Sequence, residues 1–455
     1  MPHWPIFTGE VKSINNINVL RVLGLLDNPQ EKMKNIIHIS GTNGKGSTAS
    51  FLHQILLEHG FSANKYTSPH LLACNERILN NKNQISDDEL YFYIEQVRHT
   101  CEDSNIELTI FEATTIAAFL FFAKTNANFN VIEVGMGGLN DATNVFDDEQ
   151  VLCAILTPVS LDHTKFLGDN LIDITTQKIA IAKHKYPLVC GPQNFEVANF
   201  IYQFCQNNAI PLTIYAKDFE TIQIQNENNE IDNENFCLTY SYQDDSGEIK
   251  QNDLILPTPS LKGHHQLINA STAIMAMLCI ESFEINYDKL CLALKNTKWQ
   301  GRLEQITQKH LLQLLPQNSI IYFDGAHNQG GAKVLANFIK SFDVSLNNYI
   351  IIARSKETDS AIFANELINA NICSIFATRC HGEVKPEHEN TIYKQIVNSP
   401  YSTFFNEQNT FACKNLNECL SLINQKNKNQ PCRVFICGSL YMARDIFVLS
   451  KNWQL

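Results

Sequence analysis

A glycine-rich loop between a predicted strand and a predicted helix is the feature that most constrains the fold. Residues 36–40 are IIHIS, and they lead directly into residues 41–48, GTNGKGST. An amphipathic helical pattern over residues 51–56 follows and ends at Gly60. In such a loop, successive backbone N–H groups converge at the positive end of a helix and form an anion-binding site. The segment therefore predicts a phosphate loop within an α/β domain.

Four residues of this loop carry the predicted chemistry. Lys45 lies between Gly44 and Gly46, and Ser47 follows. The lysine adds a compact positive charge, and the serine hydroxyl can reach Mg²⁺. The spacing departs from the usual phosphate-loop pattern, because Gly46 separates the lysine from the serine. The alternative, a tight turn with an exposed lysine, is disfavoured by the strand before the loop and the helix after it.

Short apolar runs alternate with helical patterns along two stretches of the chain, a rhythm typical of βαβ units and parallel sheets. The predicted strands are residues 36–39, 131–134, 151–156 and 188–190, and then 320–323, 349–353, 372–377 and 434–437. A polar segment, about 220–251, predicts a peripheral β meander. A chain of 455 residues is too long for one ordinary core.

We therefore predict two α/β domains. Residues 1–296 would form a phosphate-loop domain with a mostly parallel sheet and helices on both faces. Residues 297–455 would form a smaller, Rossmann-like α/β domain.

Charge and cysteine usage limit the class of partner and compartment. The formal net charge of -12 disfavours a nucleic-acid-binding protein, which needs a basic surface. The fourteen cysteines are not spaced as zinc ligands would be, so they indicate free thiols in a reducing compartment.

The sequence shows no targeting or membrane-spanning segment. Residues 1–13 do not resemble a secretory signal, and no apolar run is long enough to span a membrane. We expect a cytoplasmic protein that does not bind membranes.

Polar residues occur where a buried strand or its carboxyl end is predicted. Glu133 lies inside a strand buried on both faces, where a carboxylate costs several kcal/mol unless a cation or donors compensate it. A metal ion would compensate it, and the alternative is pairing with a core arginine. His163 follows the 151–156 strand and should reach the same sheet edge. Ser68 follows another predicted strand and offers a neutral oxygen.

His163 and Ser68 also have simpler interpretations. A histidine after a strand is often a hydrogen-bonded loop residue, and Mg²⁺ usually prefers oxygen ligands. Ser68 precedes Pro69, so a turn serine is an equally good interpretation from the sequence. Their common position at one edge of the sheet favours the metal hypothesis.

The order of these motifs resembles the Mur ligase superfamily and, within it, the bifunctional dihydrofolate synthase/folylpolyglutamate synthase family. The matching segments are residues 40–48 (SGTNGKGST), 66–71 (YTSPHL), 75–78 (NERI), 111–112 (FE), 133–144 (EVGMGGLNDATN), 162–163 (DH), 167–168 (LG), 263–270 (GHHQLINA), 299–302 (WQGR), 324–328 (DGAHN) and 438–441 (GSLY).

The resemblance implies an ATP and magnesium site. It implies that residues 44–47 hold the ATP phosphates and that two Mg²⁺ ions lie among the metal ligands, Ser47, Ser68, Glu133 and His163. It also implies nucleotide contacts from Asn269, Arg302 and Asp324.

Three residues are expected to take part in catalysis: Lys45, Lys178 and His327. Lys178 matches the lysine that the family carbamylates, and the alternative is a solvated helix lysine. His327 would help to place glutamate, and the alternative is an ordinary polar residue after a strand.

The pterin contacts implied by the resemblance come from three places in the chain. They are Asn18, Arg21, Phe111, Glu112, Asn140, Asp141 and Ala142. Leu139 stands where the family usually has arginine, Gln177 where it has glutamate, and Gln300 where it has proline. Leu139 adjoins the predicted pterin loop, so the departure bears on substrate preference.

The resemblance implies a monomeric ligase that acts on small molecules. It would join glutamate to 7,8-dihydropteroate and then to the γ-carboxylate of reduced folates, through acyl phosphates and with domain closure before chemistry. One rival is a muropeptide ligase, disfavoured because only 40 residues precede the phosphate loop. Two others are an enzyme with one of the two activities and a nucleotide-binding module without ligase activity.

Overall fold

The computed structural model describes residues 15–225, 231–243, 246–355, 359–381 and 385–448. The predicted absence of a secretory signal concerns residues 1–13, which lie outside these ranges. The chain divides into two compact units. The first comprises the described residues up to Ser260 together with His265–Lys298, and the second comprises Leu261–His264 and the described residues from Trp299 onward.

The first unit is built on an eight-stranded sheet with helices on both faces. Its strands are β1 (Ile36–Ser40), β2 (Ala63–Tyr66), β3 (Ile78–Asn80), β4 (Asn83–Gln84), β5 (Phe129–Glu133), β6 (Val151–Leu156), β7 (Leu188–Cys190) and β8 (Leu212–Ile214). Its helices are α1 (Ile17–Leu25), α2 (Lys45–Glu58), α3 (Asp87–Ser104), α4 (Ile110–Thr125), α5 (Thr164–Leu167), α6 (Leu171–Ile179), α7 (Phe195–Asn207), α8 (His264–Leu278) and α9 (Tyr287–Asn296). Short 3-10 turns occur at Pro29–Lys32, Cys74–Arg77 and Asp148–Gln150.

The strand order is β4-β3-β2-β5-β1-β6-β7-β8. The six neighbouring strands β2, β5, β1, β6, β7 and β8 are parallel. β1 and β5 are buried along their whole length, which explains their nearly continuous apolar sequences. Ile36, Tyr66 and Ile132 pack in one core with residues of α1, α3 and α4. Because side chains alternate along a strand, Lys65 and Glu133 face the opposite side, towards α2.

Helix α3 begins as its sequence predicts. Ser86 Oγ accepts a hydrogen bond from the Glu89 N–H, and the Glu89 carboxylate accepts one from the Ser86 N–H. This is the capping box, which satisfies two backbone donors that a helix terminus would otherwise leave unpaired.

The polar segment forms a separate antiparallel sheet of β9 (Phe219–Gln225), β10 (Ile231–Gln243) and β11 (Ile249–Pro257), in the order β11-β10-β9. Residues 226–230 and 244–245 of this segment lie outside the described residues. Phe236, Leu238 and Leu256 are buried, and Thr221 Oγ donates to Ser271 Oγ on α8 at 2.8 Å. The meander is therefore attached to the first unit by one apolar face.

The second unit has its own six-stranded sheet, in the order β12-β13-β17-β14-β15-β16, with only β12 antiparallel. The strands are β12 (Glu304–Gln305), β13 (Ile320–Phe323), β14 (Asn347–Ile352), β15 (Ile372–Thr378), β16 (Thr410–Cys413) and β17 (Cys432–Cys437). The helices are α10 (Lys309–Leu312), α11 (Gln329–Lys340), α12 (Ser360–Glu366), α13 (Glu389–Val397), α14 (Leu416–Lys426) and α15 (Met442–Phe447). The α/β class with mostly parallel sheets is as predicted.

Two predictions about the chain as a whole can be compared with the structure. Within the described residues, no helix is both long enough and apolar enough to cross a bilayer. All fourteen cysteines are free thiols, and most of them are buried.

Candidate active site

The phosphate loop connects β1 to α2 through two glycines in left-handed conformations. Gly41 has a φ of +138° and Gly44 a φ of +96°. A Cβ on Gly41 would lie 1.9 Å from Thr157 Oγ, and one on Gly44 would lie 2.6 Å from Asn269 Oδ1. Conformation and close packing thus both require glycine at these positions.

The loop is anchored to the segment that follows β6. The backbone N–H groups of Thr42 and Asn43 donate to the Pro158 carbonyl at 3.0 and 3.3 Å. Thr42 Oγ donates to the Ser160 carbonyl at 3.1 Å. The first N–H groups of α2, which begins at Lys45, have no carbonyl partner within the helix. They provide a positive helix end suited to an anion.

Two lysine side chains converge on one oxygen of this loop. Lys45 Nζ donates to the Gly41 carbonyl at 3.1 Å, and Lys178 Nζ, from the last turn of α6, donates to the same carbonyl at 2.9 Å. Lys178 is buried, so the alternative of a solvated helix lysine is wrong. Burial lowers its pKa to about 7, the nearby Lys45 cation acts in the same direction, and Asp162 and Asp141 oppose the shift.

Ser47 lies in the first turn of α2 and is almost completely buried. Its hydroxyl oxygen accepts a hydrogen bond from Gln266 Nε2 at 3.2 Å. The Gln266 carbonyl oxygen in turn accepts one from Asn269 Nδ2 at 3.0 Å. The structure therefore brings Asn269 and Ser47 together at the phosphate loop, through a glutamine that the sequence analysis missed.

Glu133 and Ser68, two predicted metal ligands, are also brought together. Glu133 Oε2 accepts a hydrogen bond from the Ser68 N–H at 3.1 Å, and Glu133 is only 3% exposed. Lys65 is a buried neighbour whose Nζ donates to Ser50 Oγ on α2. Burial lowers the pKa of Lys65 to about 8, and the Glu133 charge opposes this shift.

His163, the remaining predicted metal ligand, follows β6 and is the residue immediately before α5. Its φ is +49°, and its ring is 46% exposed, with Nε2 4.0 Å from Asp162 Oδ1. Across the described residues, no three His, Cys, Asp or Glu side chains are grouped so that they could hold a metal ion. The predicted metal ligands comprise two serine hydroxyls, one carboxylate and one histidine, so they would not form a group of three such side chains.

Residues 136–143, which we term the substrate loop, contain the predicted pterin contacts Asn140, Asp141 and Ala142. The Asp141 carboxylate is buried and accepts hydrogen bonds from Met136 N at 2.8 Å, Thr143 N at 2.9 Å and Thr143 Oγ at 2.6 Å. Burial raises its pKa, and these hydrogen bonds oppose the rise. Ala142 is buried and Asn140 is partly exposed.

The residues predicted to contact pterin from α4 lie close to the same loop. A Cβ on Gly135 would be 2.2 Å from the Phe111 ring, so the ring packs directly against the backbone that leads into the substrate loop. Glu112 completes a capping box, because its carboxylate accepts a hydrogen bond from the Thr109 N–H at 2.6 Å. It therefore has a structural role that the sequence analysis did not assign to it.

Helix α1 borders this region. Asn18 Nδ2 donates to the Glu107 carbonyl just before α4, at 3.1 Å, while Arg21 is exposed. Asn16 Nδ2 donates to the Asn144 carbonyl at 3.1 Å, directly after the substrate loop. Leu139 is exposed, and its N–H donates to the Gln177 carbonyl at 2.7 Å.

The predicted residues of the second unit cluster at the carboxyl end of β13. The Asp324 carboxylate accepts hydrogen bonds from Leu303 N at 2.9 Å and Ala326 N at 2.8 Å. Burial raises its pKa, and the nearby Arg302 cation opposes the rise. His327 Nδ1 lies 3.0 Å from the Gly325 carbonyl, which can only accept, so Nδ1 carries the proton.

Two functional candidates escaped the sequence analysis, Gln266 and His38. Both are polar and completely buried. For His38 a signal existed, because a polar residue within an apolar strand had already identified Glu133. Gln266 precedes Asn269 by one helical turn, which places the two amides on one helix face.

Together, the phosphate loop, the buried carboxylate at the end of β5 and the adjoining substrate loop define a nucleotide-binding α/β enzyme of the Mur ligase type. The family model described as the Mur ligase middle domain matches residues 39–277, just over half of the chain. The model described as the dihydrofolate synthetase C-terminal domain matches residues 308–449.

Individual relatives narrow this class. The chain is 30% identical to a probable dihydrofolate synthetase of Schizosaccharomyces pombe, over 94% of this chain and 96% of the relative. It is also 30% identical to the dihydrofolate synthase/folylpolyglutamate synthase of Bacillus subtilis, over 70% of each protein. The chain therefore belongs to the dihydrofolate synthase/folylpolyglutamate synthase family of ATP-dependent ligases.

The fold agrees with this assignment. The crystal structure of a bifunctional folylpolyglutamate synthase/dihydrofolate synthase with Mn, AMPPNP and L-glutamate bound superimposes with a TM-score of 0.75. The identity is 21%, and the superposition covers 95% of this chain and 93% of the other.

Proposed function

We propose that this enzyme joins L-glutamate to 7,8-dihydropteroate, with ATP converted to ADP and phosphate. The observation that carries the proposal is the position of Ser40. It is the last residue of β1 and leads into the phosphate loop, and its hydroxyl donates to the Gly137 carbonyl of the substrate loop at 2.7 Å. The loop that would bind the phosphoryl donor and the loop that would bind the acceptor acid are thus anchored to the same residue.

The chemistry follows from the weakness of a carboxylate as an acyl donor. The acid's carboxylate oxygen attacks the γ-phosphorus of ATP, ADP leaves, and an acyl phosphate forms. The glutamate amine then attacks the acyl carbon, phosphate leaves, and the amine loses a proton. Lys45 and the N-terminus of α2 would stabilise the negative charge of the transferring phosphoryl group without reorganisation.

The residues present fit a magnesium site. Glu133 is a buried carboxylate next to Ser68, and the Ser47 hydroxyl is buried at the start of α2, so hard oxygen ligands are available. Ser47, Ser68, Glu133 and His163 would hold the metal, as two ions by the family resemblance. Bound there, Mg²⁺ would neutralise charge on the phosphate oxygens.

Carbamylation of Lys178 is part of the proposal. A lysine with a pKa of about 7 is about half neutral at neutral pH, and only the neutral amine can attack CO₂. Lys178 and Lys45 also share the Gly41 carbonyl as acceptor. Conversion of Lys178 to a carbamate would replace one of two adjacent cations with an anion.

The remaining roles follow the family resemblance. Asn269, Arg302 and Asp324 would bind the nucleotide, and His327 would help to place glutamate. Phe111, Glu112, Asn140, Asp141 and Ala142 would contact the pterin acid, together with Asn18 and Arg21 of α1.

Addition of further glutamates to reduced folates is a second candidate activity. It is favoured by the Bacillus subtilis relative, whose name includes both activities. Dihydropteroate is the first choice of acceptor because the relative named for dihydrofolate synthesis matches nearly the full length. The C-terminal family model carries the same name.

The test is ADP release by purified enzyme with Mg²⁺, ATP and glutamate, supplied with dihydropteroate or tetrahydrofolate in separate reactions and with products identified by mass. We expect turnover with dihydropteroate, and turnover with both acids would establish the bifunctional enzyme. Lys45→Ala should abolish it, whereas Lys82→Ala, at an exposed lysine, should not. If no ADP is released with either acid, a nucleotide-binding module without ligase activity is favoured instead.

A further inference from the structure

Strand β1 contacts the substrate loop through two side chains. His38 and Ser40 are two residues apart, so both point to the same face of the strand. Ser40 Oγ donates to the Gly137 carbonyl at 2.7 Å, and His38 Nε2 lies 3.0 Å from Thr143 Oγ. The strand that leads into the phosphate loop therefore holds the substrate loop near both of its ends.

The hydrogen-bond directions in this network are determined by the available protons. Thr143 Oγ has one hydrogen and donates it to Asp141 Oδ1 at 2.6 Å. Backbone N–H groups donate to both oxygens of Asp141, which favours its ionised form. The Thr143 hydroxyl must therefore accept its second hydrogen bond from His38, whose Nε2 carries the proton.

The His38 ring is neutral and fixed. It is completely buried, and burial lowers its pKa to about 3. The edge of the ring meets Phe146 at a centroid distance of 5.9 Å and an angle of 84°. Within the described part of the chain, its other nitrogen, Nδ1, is buried without a hydrogen-bond partner. An unsatisfied buried acceptor is destabilising, whereas an apolar side chain would fill this space without that cost.

We propose that His38 is a positioning residue that acts through Thr143 to fix the Asp141 carboxylate for recognition of N–H groups on the pterin ring. The inference rests on the proposed function, because it requires Asp141 to contact the pterin acid. By donating to Thr143, His38 orients the hydroxyl hydrogen towards Asp141. The carboxylate is thereby held in one orientation before the acid binds, which reduces the entropy lost on binding.

The test compares variants that remove the relay with variants that retain it. Thr143→Val and His38→Phe keep the approximate shape but remove the hydroxyl or the donor. Thr143→Ser and His38→Gln keep a hydroxyl or an N–H donor. We expect Thr143→Val, which loses a hydrogen bond to the Asp141 carboxylate, to raise KM for dihydropteroate about 10-fold or more. His38→Phe loses a hydrogen bond between two neutral groups and should raise it about 3-fold or more. KM for ATP should remain within about two-fold, and the second pair should retain most of the affinity.

Calorimetric titration of the same proteins with dihydropteroate gives a readout independent of turnover. Unchanged dihydropteroate affinity in Thr143→Val would overturn the inference, as would a parallel loss of ATP and dihydropteroate affinity, which indicates general damage. If His38→Phe does not fold, Thr143→Val alone decides. If the unmodified enzyme itself binds no pterin acid, the proposed function has failed, and that result is distinct from an effect of the variants.

Discussion

At the scale of single residues, Lys178 couples protonation to stability. Its pKa in the folded protein is about 7, well below the value of about 10.4 for a solvated lysine. Between these values the unfolded chain binds more protons than the folded one, so the free energy of unfolding increases with pH through this window. We expect Lys178→Met to lose much of that increase, measured by urea unfolding at about pH 7 and about pH 9 in buffer free of CO₂.

Lys82→Met is the matched control for Lys178→Met, because Lys82 is exposed. It should retain the pH dependence of the unmodified protein. Identical pH dependence in all three proteins would show that burial does not lower the pKa of the Lys178 amine.

Bicarbonate provides a second measurement on the same proteins. Added bicarbonate should stabilise only the proteins that retain Lys178, since carbamylation requires its amine.

Gly44 tests the geometry of the phosphate loop. An alanine there would adopt a left-handed conformation, at a cost of about 1–2 kcal/mol, and its Cβ would approach Asn269 Oδ1 to 2.6 Å. We expect Gly44→Ala to weaken binding of a fluorescent ATP analogue by about 10-fold or more. Gly24→Ala, whose Cβ would have no neighbour nearer than 3.9 Å, should bind normally. Equal affinities would mean that the loop does not hold the phosphates.

A functional residue could be predicted from the sequence where a polar side chain interrupts an apolar strand that is expected to be buried. Glu133 was identified in this way, and the structure places it beside Ser68. His38 shows the same conflict, but its partner Thr143 is 105 positions away in the chain. The role of Gln266 depends on Ser47, 219 positions away. Only the packed structure brings such partners together.

At the scale of elements, buried strands were predicted more accurately than edge strands. β6, β7 and β13 have the predicted limits, because continuous apolar runs bounded by polar residues leave little choice. β8 and β16 were missed. Both lie at a sheet edge, where a strand has only one neighbour, and both are short and partly exposed. Their apolar patterns are correspondingly weak.

Glu112 has a structural role in the capping box of α4 and a proposed role in binding the pterin acid, and one substitution can distinguish the two. Because its carboxylate caps the helix, Glu112→Ala should lower the free energy of unfolding by about 1 kcal/mol, measured by urea denaturation. Glu89→Ala, in the equivalent box of α3, is the matched control and should show a similar loss with unchanged kinetics. A larger KM for dihydropteroate in Glu112→Ala alone would support the pterin contact. An unchanged KM for dihydropteroate would mean that Glu112 caps the helix and does not contact the pterin.

At the scale of the whole molecule, the alternation of strands and helices predicted the α/β class, and the structure confirms it. The assignment of Leu261–His264 to the second unit was not predictable. These residues lead into α8, whose first residue is His264 and whose other residues belong to the first unit, and no composition change marks them. Lys262 packs over the Tyr322 ring at 5.3 Å and donates to Gln305, contacts within the second unit that only the folded chain forms.

Ligand linkage tests the whole enzyme without relying on turnover. A nucleotide that binds only the folded state at 100 times its Kd adds about 2.7 kcal/mol of stability. For a unit as large as the first one, that corresponds to a rise in Tm on the order of 4 °C. We expect this rise for the unmodified protein with Mg²⁺ and AMPPNP, a smaller one when EDTA removes the metal, and almost none for Lys45→Ala. Lys45 is only partly buried, so the Tm of Lys45→Ala without nucleotide should be nearly normal. An equal rise in Lys45→Ala would place the nucleotide away from the phosphate loop, and an equal rise in EDTA would remove the case for a metal ion at Glu133.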